Sequence, residues 1–383
     1  MARDANLRSM IRPVFSSLLV FGLLGCVPKE AVAPEGPPVP PAAQAAAPAE
    51  AVPEAPPAPP LDLTPVPFEV ARANFVRDTS ARYAIPAADI EAALGRAKFL
   101  DSVVNAMARP AERVKSWSEY RPLFISQARI DGGRAFLARH RVALDKVQAD
   151  TGVPAELIVA IIGVETSYGG NTGRYSVLDA LYTLAFRYPR SGDPAKLERE
   201  VRRELLFRDE LAQLFALSRE EHLDITTLKG SYAGAMGMGQ FMPSSYRDFA
   251  VDGDGDGRRD LFGSLDDVFA SIANYFVKKG GWERGGLVAV PATLAAGHAP
   301  FDPVDWAPVH TQADLAGRGY SADVPVPAGA TATPVSLAGS AGPQYWLGFR
   351  NYYAITRYNI SKMYAMAVFQ LSEAIAGRGI PPA

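Results

Sequence analysis

Residues 157–170 read LIVAIIGVETSYGG, an apolar run that ends in one carboxylate and then in glycines. A stretch of that density has to be wrapped by the rest of the chain, whatever the chain becomes. Thr151 and Pro154 supply a helix start, an N-cap candidate and a proline tolerated in the first turn. Gly169 and Gly170 supply a stop. At roughly 100° per residue, Ile158, Ile161, Ile162 and Glu165 share one face. Glu165 therefore continues an apolar stripe. A carboxyl held against aliphatic side chains loses solvation, so its pKa rises and it stays protonated near neutral pH, as a general acid must. A single glutamate near a helix end is more often a surface or ion-paired residue. The remaining sequence has to supply the site.

With 383 residues and 48% hydrophobic content the chain can bury a sizeable core, in two or three compact units. The formal net charge of −2 argues against nucleic acid as a partner. The four histidines, His140, His222, His298 and His310, form no ligand pair, so a histidine-built zinc site is not expected.

Residues 1–25 read as a secretory leader. Arg3, Arg8 and Arg12 form its basic segment, and residues 14–24 form an apolar stretch too short to span a bilayer. The leader ends in Leu23-Leu24-Gly25-Cys26, which resembles a bacterial lipobox, and Cys26 is the one cysteine of the chain. The resemblance implies acylation of Cys26, and two or more acyl chains anchor stably. With Val27 and not Asp at the next position, the same resemblance implies the outer over the inner membrane, with the body in the periplasm. Removal of the leader takes three arginines and one aspartate, which leaves a net charge of −4. Residues 26–67 are Pro/Ala-rich and cannot build a core; they read as an extended tether. At ~3.1 Å per residue it reaches on the order of 100 Å.

From Phe68 to about Gly152 the pattern is helical, with Pro86 and Pro110 opening new segments. Phe136, Leu137, His140, Leu144 and Val147 fall on one stripe of a single helix, with His140 as a partly buried core residue. An amphipathic helix over 176–186 and a long charged one over 194–218 follow. Then comes GSYAGAMGMGQFMPSSY at 230–246, whose glycines suit close backbone approach to a ligand. It lacks the spacing of a phosphate loop. Ser231 and Gln240 suit hydroxyl and acetamido groups instead.

Asp252, Asp254 and Asp256, with Gly257 at the sixth position, match the front half of an EF-hand loop that gathers oxygens around a hard cation. Position 12 is Gly263, so the closing carboxylate falls to Asp266 or Asp267. Residues 264–279 return to helix. Residues 287–345 read as a small β or loop unit, with β-branched runs at 287–290, 324–326 and 331–335. The segment from 349 to 364 is dense in tyrosine and leads into a last helix ending near Ala376.

GVET at 163–166, GSYAGAMGMGQFMPSSY at 230–246 and ITRYN at 355–359 together resemble the membrane-bound lytic murein transglycosylase B family, over roughly 68–377. The resemblance implies a mainly α (α+β) fold: a lysozyme-like catalytic core with an added helical domain and a small β-rich insertion. The helical part would be 68–152, the core 153–286 with its metal loop at 252–267, the β part 287–345 and the C-terminal cleft segment 346–377. It implies cleavage of the MurNAc-β-1,4-GlcNAc bond of peptidoglycan without water, as the muramyl 6-hydroxyl attacks the anomeric carbon to leave a 1,6-anhydro end.

Carried over by motif, Glu165 is the acid and then the base, and Ser231 and Gln240 bind sugar or N-acetyl groups. Tyr120, Tyr275, Tyr358, Asn359 and Tyr364 line the cleft, and Arg187, Tyr188 and Arg190 match a glycan- or peptide-contacting segment. Asp252, Asp254, Asp256, the Arg258 carbonyl and a later carboxylate, which counting back from Asn274 favours as Asp267, hold a structural Ca²⁺ or Na⁺. No cofactor is expected for the chemistry. Partners are peptidoglycan glycan strands, the outer membrane through the lipid, and cell-wall synthesis proteins. Glycosidases commonly use two carboxylates, yet no second one stands out, so the substrate's own N-acetyl oxygen would take that role. The rivals are a goose-type muramidase that hydrolyses the same bond and a non-catalytic peptidoglycan-binding lipoprotein; Glu165 weighs against the latter.

Overall fold

The architecture follows from the burial of the 157–164 run. In the computed structural model, which describes residues 61–108, 115–303 and 305–379, that run is the central helix. The expected leader, Cys26 and most of the tether lie outside the described residues, as does Pro110. Seven helices lead up to and include it: α1 (Phe68–Tyr83), α2 (Ala87–Leu94), α3 (Asp101–Ala108), α4 (Trp117–Phe124), α5 (Gln127–Arg139), α6 (Arg141–Thr151) and α7 (Ala155–Thr166). Leu157 through Val164 are all buried, and α7 packs against α5, α6 and two later helices, α11 (Leu265–Tyr275) and α14 (Lys362–Ile375). The expected apolar stripe is thus an apolar helix enclosed on every side. Each buried Leu or Ile contributes about 1.5–3 kcal/mol.

The start of α7 differs from the sequence reading. Thr151 belongs to α6, its hydroxyl donating to the Val147 carbonyl at 2.6 Å, and Pro154 is the N-cap residue without a side-chain cap. The Ala155 N–H is satisfied instead by the Gln148 side chain at 2.7 Å, and the chain bends by 114° between α6 and α7. The single stripe expected through His140 is two helices. His140 sits between α5 and α6 with φ −111° and ψ 21°, its ring tilted against Phe136 and Phe269 at 4.6 and 5.8 Å.

α8 (Val177–Phe186) packs along α9 (Pro194–Glu220), and α10 (Pro243–Phe249) lies on α9. Ser176 and Asp193 cap α8 and α9 through their side chains. α11 runs into a π turn, Phe276–Gly280, and α12 (Gln312–Gly317) lies within the β part; α13 (Arg350–Tyr358) precedes α14. Two short strands, β1 (Tyr175–Ser176) and β2 (Lys229–Gly230), pair antiparallel. The β part is an antiparallel sheet of β3 (Ala289–Leu294), β4 (Tyr320–Ala322), β5 (Thr333–Gly339) and β6 (Gly342–Gly348), in the order β4-β3-β6-β5. The 324–326 run is not a strand, and the last strand reaches Gly348, three residues past the expected boundary.

Alternation sorts the sheet's two faces. Val335, Leu337 and Trp346 join the main core, while Val290, Ala292 and Leu347 close a smaller one with Leu315 and Tyr320. Pro60–Ala383 forms one compact unit. Among the described residues no single helix is long and apolar enough to cross a membrane.

Candidate active site

Glu165 occupies the last turn of α7, partly exposed, between buried Val164 and buried Thr166. The helix stops at Thr166, before the glycines named as its stop. Ser167 and Tyr168 take left-handed backbone (φ 52° and 61°), and Gly169 follows at φ 83°. The Ser167 and Tyr168 N–H groups close back onto Gly163 and Ile162 at 3.1 and 3.2 Å, which satisfies the helix's last carbonyls.

The partner of Glu165 comes from the far end of the chain. Tyr364, in the first turn of α14, donates its hydroxyl to Glu165 Oε1 at 2.5 Å and is 2% exposed. Ser361 caps α14 by accepting the Tyr364 N–H at 3.3 Å, which fixes the ring's origin. Burial, and then the Glu165 charge, hold the Tyr364 phenol well above its ordinary range, so it remains a donor to the carboxylate at physiological pH. Tyr358 is raised in the same way and for the same first two causes. Tyr120, buried in α4, lies close enough to Tyr364 to act on its titration, and it packs on Trp117 and Phe124.

Tyr358 and Tyr275 give their hydroxyls to backbone, to the carbonyls of Gly239 at 2.6 Å and Arg357 at 2.7 Å. Their rings lie 4.9 Å apart in a cluster with Phe241, and burial pushes the Tyr275 phenol up to about 12. These tyrosines shape the lip of the site.

The glycines of 230–246 allow close backbone packing within the chain. A Cβ on Gly230 would lie 2.2 Å from the Ala235 carbonyl oxygen, one on Gly234 would meet Leu181 at 2.5 Å, and one on Gly237 would meet the Leu261 carbonyl at 2.6 Å. Met236 and Phe241 exchange backbone hydrogen bonds at 2.9 Å, folding the stretch into a tight loop. Ser231 Oγ accepts the N–H groups of Ala233 and Ala235 at 3.2 and 3.0 Å. Gln240 has φ 53°, and its amide nitrogen donates to the carbonyls of Thr172 and Gly237 at 3.2 and 3.0 Å. Both side chains first hold the loop together.

Thr166, which sequence reasoning passed over, joins the loop to α7: its hydroxyl lies 3.1 Å from the Ile162 and Met238 carbonyls and accepts the Gly169 N–H at 3.1 Å. A hydroxyl directly after the candidate acid was the signal available.

Asn359 caps α13 in extended conformation, its carbonyl accepting the Ser361 N–H at 2.8 Å. Arg187, Tyr188 and Arg190 stand at the α8–α9 junction. Arg187 pairs with Asp101 at 2.9 Å, Arg190 with Glu204 at 2.5 Å, and Tyr188 stacks on Phe207 at 6.0 Å. Asp179 serves structure, accepting the Lys98 N–H at 2.8 Å.

In the acidic loop, Asp252, Asp254 and Asp256 bring carboxylate oxygens within 4.8 Å of one another, all three side chains exposed. Asp252 accepts the N–H groups of Gly255 and Gly257 at 2.6 and 2.8 Å, and the bond from Gly257 is the first cause of its lowered pKa. Asp267, not Asp266, turns inward and is 1% exposed, while Asp266 stays outside. Both Asp267 oxygens are engaged by backbone, the Gly253 N–H at 2.7 Å and the Asp260 N–H at 2.6 Å. It ties the start of the loop to its end from below, on the side where the closing carboxylate was expected. Burial raises its pKa. An all-oxygen set of three close carboxylates fits a hard cation, because like charges at that spacing repel until one neutralises them.

Residues 67–373 match the model of the transglycosylase SLT domain. The chain is 41% identical over 292 residues to the membrane-bound lytic murein transglycosylase B of Escherichia coli K12, covering 74% of this chain and 76% of that one. Its fold resembles the catenated lytic transglycosylase SltB1 of Pseudomonas aeruginosa, with TM-score 0.71, 42% identity and 80% and 97% of the two chains covered. It also resembles the lytic transglycosylase Slt35 of E. coli solved in complex with calcium, with TM-score 0.69, 38% identity and coverage of 80% and 92%.

Proposed function

The chain belongs to the transglycosylase SLT domain family and is a peptidoglycan lytic transglycosylase, and from that premise we propose that Glu165 is its catalytic acid and then its base. The observation that carries this reading is the hydrogen bond from Tyr364 to Glu165 Oε1 at 2.5 Å. With Oε1 held as an acceptor, the transferable proton belongs on Oε2. Glu165 gives that proton to the glycosidic oxygen as the bond from MurNAc C1 breaks, and the electron pair leaves with the GlcNAc O4. The substrate's N-acetyl oxygen closes on C1 to give an oxazolinium ion. The Glu165 carboxylate then takes the proton of the muramyl 6-hydroxyl while O6 attacks C1 and reopens that ring. The carboxyl ends as it began, and no water is consumed. Microscopic reversibility lets one group serve both steps.

Ser231 and Gln240 contact the sugar with what the loop leaves them. Ser231 offers its own hydroxyl proton, and Gln240 its amide oxygen. Tyr120, Tyr275, Tyr358, Asn359 and Tyr364 wall the cleft, while Arg187, Tyr188 and Arg190 form a more distant glycan or peptide contact. Mass spectrometry of digested sacculi tests the reaction: 1,6-anhydro-MurNAc ends are expected, and reducing MurNAc ends would overturn the transfer step in favour of hydrolysis.

Asp252, Asp254, Asp256, the Arg258 carbonyl and Asp267 are read as holding a structural Ca²⁺ or Na⁺, a reading supported by the carboxylate spacing and by the calcium complex of the E. coli relative. Cys26 is read as the acylated N-terminus that holds the enzyme to the periplasmic face of the outer membrane, supported by the leader and tether sequence and by the membrane-bound relative. Cys26→Ala is expected to move the protein from the membrane fraction to the soluble one; retention in the membrane fraction would count against the anchor.

A further inference from the structure

We propose that Tyr168 is a positioning residue for this reaction, latching the turn behind Glu165 and so fixing the carboxyl against Tyr364 and the glycine-rich lip. The inference rests on the reading of Glu165 as the acid. Its starting point is strain. Ser167, Tyr168 and Gly169 are three successive residues in left-handed backbone, and two of them carry a Cβ. Among the described residues the non-glycine positions with positive φ are Ala84, Ser167, Tyr168, His222 and Gln240, so three of the five lie in the turn after Glu165 or in the lip beside it.

Something must hold such a turn. The Tyr168 ring lies in a slot that exists because three neighbours lack a side chain: a Cβ on Gly163, Gly133 or Gly132 would come within 2.7, 2.6 or 3.1 Å of it. Phe136 stacks on the ring at 5.7 Å, and the hydroxyl donates to the Arg129 carbonyl at 2.7 Å. Burial holds that phenol far above its ordinary range, so it stays a donor. The Arg129 guanidinium in turn donates to the Gly163 carbonyl and to Ser167 Oγ, two residues to either side of Glu165. The contacts form a closed ring around the residue that does the chemistry.

Without the latch, the cheapest backbone for Ser167 and Tyr168 is right-handed, which continues α7. That would carry Gly169 off the Thr166 hydroxyl and Thr166 off Met238, parting Glu165 from the lip. Gly132 and Gly133 within α5 and Gly163 within α7 weaken those helices, a cost the slot accounts for.

The test uses Tyr168→Phe, which removes only the hydroxyl, and Gly163→Ala, which fills the slot. Val103→Ala in α3 is the control for lost stability. Turnover of soluble un-crosslinked glycan strands, melting temperature and the infrared carboxyl band assigned by Glu165→Gln are measured for each. Both latch variants are expected to lower kcat by about 10-fold to 100-fold with KM within about twofold, as misplacement of a reacting group does. Both should shift the Glu165 band, whereas Val103→Ala should lower the melting temperature alone. Unchanged kcat and band in both latch variants, or equal losses in the control, would overturn the proposal. Full activity of Glu165→Gln would instead remove Glu165 as the acid, and the band shift would still report whether Tyr168 positions it.

Discussion

The Glu165 pocket and the acidic loop both depend on carboxylates, and they are built in opposite ways. The loop is local and wet: Asp252, Asp254 and Asp256 lie within five residues, exposed, folded onto their own backbone N–H groups. The pocket is non-local and mostly dry: one carboxyl on an enclosed helix meets a phenol 199 positions away. A wet local cluster can gain stability from an ion but has no means of holding a carboxyl protonated. A carboxyl against a buried wall can, and a general acid needs that.

The sharpest way to break this contrast is Glu165→Gln. The amide keeps size and burial but cannot give up a proton, so sacculus cleavage is expected to fall about a thousandfold with the melting temperature nearly unchanged. Undiminished cleavage would place the chemistry elsewhere. Tyr364→Phe comes next. It leaves the ring and removes the hydroxyl that fixes Oε1 as an acceptor, so kcat should fall by about 10-fold to 100-fold. A loss confined to KM would mean that Tyr364 binds sugar without acting on Glu165.

The same contrast explains what could be read from the residues. The loop was legible because its pattern is its structure: Asp at alternate positions and Gly at the sixth define the turn. Counting favoured Asp267 over Asp266 as the later carboxylate, but its burial and its two backbone donors are not encoded in spacing. The helix carrying Glu165 was legible from its apolar run. Its ends were not, since Gln148 caps it from the previous helix and a tyrosine in strained backbone stops it. The contacts of Arg129 and Thr166 were not legible for the same reason: their partners are set by packing between α5, α7 and the lip. Where a motif's meaning is contact at long range, as for Tyr358 on Gly239, the resemblance marked the residue without its hydrogen bond.

Removing the proposed cation probes the wet side. Chelation, or Asp254→Ala with Asp256→Ala, is expected to lower the melting temperature by about 5 °C, since an ion that binds only the folded loop stabilises by mass action. Turnover per folded molecule should not change well below that temperature. No shift with EDTA and none in the double variant would remove the ion from the loop. As Asp252 has a lowered pKa, the ion-dependent increment should be full above the ordinary aspartate range and vanish as pH falls through the lowered one.

The smallest effect concerns a third kind of carboxylate, dry but without chemistry. Glu210 on α9 is buried and accepts the Ser244 N–H and hydroxyl at 3.0 and 2.6 Å, tying α10 to α9. Burial, the first cause, raises its pKa in spite of those two donors. The folded state therefore holds this proton more tightly than the unfolded chain does. Its contribution to stability is full below the unfolded glutamate range and is lost as pH rises through the raised folded value. Each tenfold difference in proton affinity corresponds to about 1.4 kcal/mol. Glu210→Gln cannot titrate, so the melting-temperature difference between the natural protein and the variant should shrink as pH rises from about 4.3. A difference constant across that range would show that the two Ser244 donors offset the burial, leaving the proton held equally in the folded and unfolded states. Dryness alone would then not separate it from the aspartates of the loop.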